Sequence, residues 1–356
     1  VSVPPAQLVA GKTARVDDYP VDLAWSEGRL VVGGGEGQLA LIDPASGAVR
    51  PLGTHAPGVL RLAVLGTPAR LISAGQDGSV RRWDLAAETP EGQVVHRGTA
   101  WPEALTPSPD GRSCAFAAGR AVHVCDADGA PLHRFEPVGK GASLIAWRGR
   151  LPELAAAGQT SAWLCETASG RITQVDLEGG PLSLAYSPDG RVLAAGLQDG
   201  VVSFRYVATQ KKSRMSGYDG KVTHTTWSAN SRYLATAASG ASTVIIWDFG
   251  GKGPEGSMPM QLGTHDDRIE ALDFQPVGNL LASAGRDGRL ALWRPGPGYK
   301  PSRDGQSRDG KGPLPQALDV HLLAGTPAVL RWSPDGRQLA LAQADGRIAF
   351  FDVKAA

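Results

Sequence analysis

A short apolar pattern turning on Asp-Gly recurs along this chain, in LISAGQDGSVRRWD (71–84), LAAGLQDGVVSFRY (193–206), LASAGRDGRLALWR (281–294) and LALAQADGRIAFFD (339–352). Apolar residues alternate on both sides of each turn, as in two half-buried strands joined by a tight hairpin. Such a unit cannot bury its apolar face alone and must stack on copies of itself, so the chain is restricted to an array of repeated small sheets.

The copies are counted by the residue that closes each hairpin: Asp43, Asp84, Asp126, Glu166, Tyr206, Asp248, Arg294 and Asp352, at intervals of 41, 42, 40, 40, 42, 46 and 58 residues. Upstream of most hairpins lies a strand ending in an aromatic and a turn, as in LAYSPDG (184–190), TTWSANS (225–231), LDFQPVG (272–278) and LRWSPDG (330–336). Downstream comes a fourth strand, such as GAVRPLG (47–53) or RITQVDL (171–177). Four strands in roughly 40 residues make the blade of a β-propeller. The expected fold is therefore all-β, a single propeller domain over 1–356 with eight blades of four antiparallel strands.

These residues resemble the WD-repeat family, and the resemblance covers essentially the whole chain. Two repeats carry nearly its full pattern: His55, Ser73, Asp77 and Trp83, and then His265, Ser283, Asp287 and Trp293. Each histidine stands nine residues before Val64 or Phe274 in the following strand. The resemblance implies that each set forms a hydrogen-bonded tetrad that locks its blade. Other repeats depart: Tyr218 replaces the histidine, Cys125, Cys165 and Arg205 stand where Trp is usual, and Glu166, Tyr206 and Arg294 replace the final Asp. Together with plain Ala- and Gly-rich repeats, this reads as a divergent, bacterial-type member.

Only Val353 to Ala356 follow the last hairpin, too little for an outer strand. Leu8-Val9-Ala10-Gly11 echoes Leu322-Leu323-Ala324-Gly325, so the segment 1–15, with its strand at about 6–13, is expected to close the last blade. The first residues lack a charged-then-apolar leader pattern, and no apolar run approaches the roughly 18 residues of a spanning helix. A leading Val fits loss of an initiator Met or a trimmed leader. With a net charge of +1 there is no global pull toward nucleic acid or anionic lipid. Three cysteines without metal-ligand spacing read as buried small hydrophobes in a reducing, cytoplasmic setting, with Cys114 and Cys125 neighbours across one hairpin.

His, Ser and Asp together suggest a hydrolase, yet a Trp completes each set, so a structural role is favoured over a catalytic one. His96, His123, His133, His224 and His321 are scattered over several blades without ligand spacing, so no metal or cofactor is expected. Trp25, Trp147, Tyr186, Trp227, Phe274 and Trp332 recur at one point of the inner strand and read as packing between blades. VVGGGEGQ (31–38) lies at a hairpin turn, where a phosphate loop would need a following helix.

Two segments break the rhythm. PGPGYKPSRDGQSRDGKGPLPQ (295–316) reads as a flexible loop, with Lys300, Arg303, Arg308 and Lys311 against Asp304 and Asp309, a local balance of 4 − 2 = +2. FGGKGPEGSMP (249–259) is a shorter insertion at the equivalent turn. On the opposite face, Gln76, Gln198 and Arg286 precede hairpin-turn residues, and Lys221 and Arg268 lie in loops entering inner strands with Asp219, Asp266 and Asp267. These features favour a non-catalytic scaffold that binds another protein and is monomeric on its own. One alternative is a small-ligand binder or enzyme with its site in a central channel, disfavoured because the inner strands read as mostly apolar and small. A second is weak nucleic-acid binding through the basic loop.

Overall fold

In the computed structural model, residues 6–136, 141–296 and 316–355 are described. Among them the chain is all β, with eight sheets of four antiparallel strands, the blades of a β-propeller. We number the blades in chain order: 1 (20–54), 2 (59–97), 3 (104–135), 4 (144–176), 5 (181–215), 6 (222–262), 7 (269–322) and 8 (327–355). Blades 1 to 7 each take their four strands in sequence order. Blade 8 supplies three, and its fourth is Ala6–Arg15, paired with Arg347–Ala355.

Two kinds of turn set the register. The Asp-Gly hairpins place Gly78, Gly200, Gly288 and Gly346 at φ of 73°, 72°, 76° and 85°, where a side chain would be strained. After the first strand, a serine closes the next turn on a carboxylate or amide two residues on. Ser108 Oγ donates to Asp110, Ser187 to Asp189 and Ser333 to Asp335, each at 2.6 Å, and Ser228 to Asn230 at 2.7 Å. The same hydroxyl accepts the amide of the residue five positions on, as Val192 N–H does to Ser187 Oγ at 3.0 Å. This is the competing side-chain bonding that favours Ser, Asp and Asn at turns.

Two compact units divide the chain, one of Lys12–Leu184 with Ala342–Ile348 and the other made chiefly of Ala185–Leu341 with the remaining terminal strands. In the first unit, blades 1 and 2 bury a cluster including Val31, Leu39, Leu52, Leu71 and Trp83. In the second, blades 6 and 7 bury Tyr233, Ile246, Phe274 and Trp293. The second strands carry small residues on both sides: Glu153–Gly158 is buried throughout as ELAAAG. Alanine there lets neighbouring sheets approach closely. Ala6–Arg15 is tied to blade 7 as well, since Leu8 N–H donates to Asp319 Oδ2 at 2.7 Å and Leu8 O lies 2.9 Å from His321 Nε2.

Lys300, Arg303, Arg308 and Lys311 lie outside the described residues. The segment 249–259 is described, and it is anchored. Glu255 accepts from Tyr206 Oη at 3.1 Å and from Lys211 Nζ at 2.8 Å. Tyr206, standing where the family pattern has Asp, thereby holds the insertion of the next blade, and burial followed by the Glu255 bond pushes its hydroxyl up to about 12.

Candidate functional site

In blade 2, Trp83 Nε1 donates to Ser73 Oγ at 2.7 Å, which meets His55 Nε2 at 2.7 Å, while His55 Nδ1 lies 3.3 Å from Asp77 Oδ1. Blade 7 repeats the relay: Trp293 to Ser283 at 2.9 Å, Ser283 to His265 at 2.8 Å, and His265 to Asp287 at 3.2 Å. Burial lowers both histidines below their ordinary value against the raising effect of the aspartates. Asp77 is held at about 2, the hydrogen bonds from Ser79 outweighing its burial. Ser73 and Ser283 are fully buried and accept an indole N–H, so neither is placed as an accessible nucleophile.

Blade 6 builds a third lock without histidine. Trp247 Nε1 donates to Tyr218 Oη at 2.6 Å, and that hydroxyl meets Thr236 Oγ1 at 2.7 Å. Tyr218 thus does the work of an imidazole, a relay the sequence pattern missed because it looks for His. Blade 1 uses Asp18 instead, whose carboxylate accepts the amides of Glu36 and Gln38 and lies so close to Gly34 that a Cβ there would meet it at 1.9 Å. Gly34 and Gly35 of the 31–38 segment therefore make room for Asp18 and Tyr19, and Gly33 for Val59.

The inner strands correct one expectation, for they are more polar than the pattern suggested. In blades 6 and 7, His224 Nε2 lies 3.2 Å from the carbonyl of Glu270, and Thr226 Oγ1 accepts Phe274 N–H at 3.2 Å. Burial pushes the Asp273 carboxyl up to about 6, and Trp332 Nε1 donates to the Asp273 carbonyl at 3.1 Å. In the other unit, Asp22 accepts Leu62 N–H at 2.9 Å. These groups stitch one inner strand to the next.

Two of the scattered histidines meet in the fold. His96, on the last strand of blade 2, and His123, in blade 3, have ring centroids 4.8 Å apart, and His123 stacks on Phe116 at 4.9 Å and 8°. Spacing in sequence hid this, because the two come from different blades. Burial lowers both, with Arg134 adding to the effect at each; for His123, lowered to about 4, the charge of His96 adds as well. No cluster of three or more metal-ligating side chains occurs among the described residues. Cys114 and Cys125 are direct cross-strand partners; all three cysteines are free and buried, and burial raises their thiols.

Of the residues expected to meet a partner, Gln198, Lys221, Arg268 and Arg286 are exposed in one unit, and Gln76 is half-buried in the other, its side chain over Gly58. Arg286 and Arg268 are adjacent, the amide of Arg286 donating to the carbonyl of Arg268 at 2.9 Å. Arg268 Nε also donates to Glu270 Oε1 at 2.8 Å. Arg289 holds Asp266 at 2.7 Å beside them.

Residues 209–248 and 256–294 match the family described as WD domain, G-beta repeat. Each match begins at or before the last strand of one blade and ends with the third strand of the next, so the sequence repeat is offset from the blade. Periodic tryptophan protein 2 homolog of Caenorhabditis elegans is 24% identical over 54% of this chain and 19% of its own length. WD repeat-containing protein 1 of Gallus gallus is 25% identical over 48% of this chain and 25% of its own. Probable cytosolic iron-sulfur protein assembly protein 1 of Malassezia globosa is 36% identical over 23% of this chain and 25% of its own. The chain thus spans a quarter or less of the length of these relatives. Among solved structures, the computationally designed Ika8 protein superposes with a TM-score of 0.74 at 18% identity, covering 95% of this chain and 97% of that one, a likeness of fold.

Proposed function

We propose that this chain is a divergent, bacterial-type WD-repeat scaffold of the cytoplasm, monomeric on its own, which binds another protein through polar side chains on its turns and catalyses nothing itself. The observation that carries this reading is a division of labour. The histidines and serines of the tetrads, and His224 and Thr226 of the inner strands, are committed to internal hydrogen bonds. Lys221, Arg268 and Arg286 instead stand exposed on turns held by backbone bonds, with Ser239 N–H on Lys221 O at 2.7 Å and Arg286 N–H on Arg268 O. A rigid frame spares the cost of ordering backbone on binding and leaves only the side chains to be fixed. WD-repeat relatives support the same reading.

The test is capture of partners from lysate of the source organism with the tagged chain, beside a variant carrying Lys221→Glu, Arg268→Glu and Arg286→Glu. One protein recovered near stoichiometry by the parent and lost by the variant is the expected result. Recovery of the chain alone overturns the scaffold reading, and undiminished capture by the variant overturns this surface.

A further inference from the structure

Trp83 shows what this chain does with an indole between two blades. Its ring presses on Gly53 of blade 1 so closely that a Cβ there would meet it at 2.4 Å. One blade on, the register places His96 opposite Val80 as Gly53 stands opposite Leu39, and Cys125 opposite Cys114 as Trp83 stands opposite Leu71. Phe116 and His123 likewise occupy the places of Ser73 and Arg81. Large and small have changed sides: the glycine has become an imidazole and the indole a thiol.

The exchange does not refill the seam. A cleft of about 420 Å³ remains, lined by His96, Phe116, His123, Cys125, Leu132 and Arg134. Its rings form a connected aromatic wall, with His96 at 5.4 Å from Phe116 and 4.8 Å from His123. Neither imidazole has a hydrogen-bond partner among the described residues, so each offers one donor and one acceptor nitrogen in its neutral form. Leu132, half-exposed, extends the apolar lining toward solvent.

We propose that this cleft between blades 2 and 3 receives the indole of a partner protein's tryptophan. The preceding seam holds the chain's own indole in the corresponding place. The stacked rings supply flat faces, and an imidazole nitrogen accepts the indole N–H as Ser73 Oγ does for Trp83. An aromatic anchor sunk in a pocket is the type of contact that concentrates binding energy. The proposal rests on the interaction reading only for the protein that carries the indole.

The probe is N-acetyl-L-tryptophanamide, titrated into the full chain while the histidine ring resonances are followed by NMR, with N-acetyl-L-leucinamide as the control. Saturable shifts at His96 and His123, with affinity at least about tenfold above the control, are expected. The double variant His96→Gly and Cys125→Trp copies the Gly53/Trp83 pair, and should keep its melting temperature while losing the probe. His123→Ala, checked by circular dichroism, should weaken binding about tenfold and decides the matter if the double variant does not fold. Shifts that do not saturate, an equal response to the leucine amide, or unchanged binding in a folded variant overturn the proposal. Capture of a partner from lysate without tryptophanamide binding removes this pocket and leaves the interaction reading standing; the converse removes only the latter.

Discussion

Tyr218 carries two obligations with one hydroxyl, accepting from Trp247 and meeting Thr236 inside blade 6. Tyr218→Phe keeps the ring and strands the buried indole N–H, which costs about 1–3 kcal/mol when a buried donor loses its partner. Urea unfolding should show that loss as a lower midpoint at unchanged slope. Gly53→Ala should cost a similar amount, about 1–3 kcal/mol, because its Cβ would overlap the Trp83 ring; the same unfolding experiment checks it. The two His-Ser-Trp sets were legible because each keeps its residues at fixed spacing. The Tyr218 lock was not, since what the relay requires is a polar atom at one place, and a phenol reaching from the same loop supplies it as well as an imidazole.

At the scale of elements, the hairpins and the serine-closed turns were legible because their chemistry is local: the partners lie two to five residues apart. The insertion 249–259 was not, since the contact that holds it joins Glu255 to Tyr206, 49 residues away. Glu255→Ala should therefore release it. Two readouts follow: faster proteolytic nicking within 249–259, and a fall of the Tyr206 hydroxyl from about 12 toward its ordinary value of about 10. Unchanged protection would mean that the Gly253 and Ser257 turn bonds alone hold the segment. The ring cluster of His96, Phe116 and His123 was hidden for the same reason as Glu255, for it needs two blades to be placed before its members meet.

For the whole molecule, five histidines share one sign. His55, His96, His123, His224 and His265 are all lowered in the fold, chiefly by burial. An unfolded chain binds protons at these sites first, so their contribution is complete above about pH 6.5 and is lost as pH falls, down to about 4 for His123. Asp77, held at about 2, adds a second loss from about pH 3.8 downward. Asp273 works the other way: with its folded value raised to about 6, it contributes stability at low pH that is lost as pH rises through 6. One acid against five bases leaves a net decline, so the melting temperature should fall steadily from about pH 6.5 toward 4. A flat profile over that window would mean that the blades loosen enough to admit the protons without unfolding.

Leu8 bonds to Asp319 and His321, more than three hundred residues further along the chain. On a ribosome adding about 5–20 residues each second, that separation is a wait of roughly 15–60 s. For that interval the strand Ala6–Arg15 exists before its partners do, presenting unpaired amides and carbonyls to whatever is nearby. Neighbouring nascent chains on the same message expose the same unpaired strand, which makes the timing of synthesis, as much as the finished contacts, a condition for each chain pairing with itself.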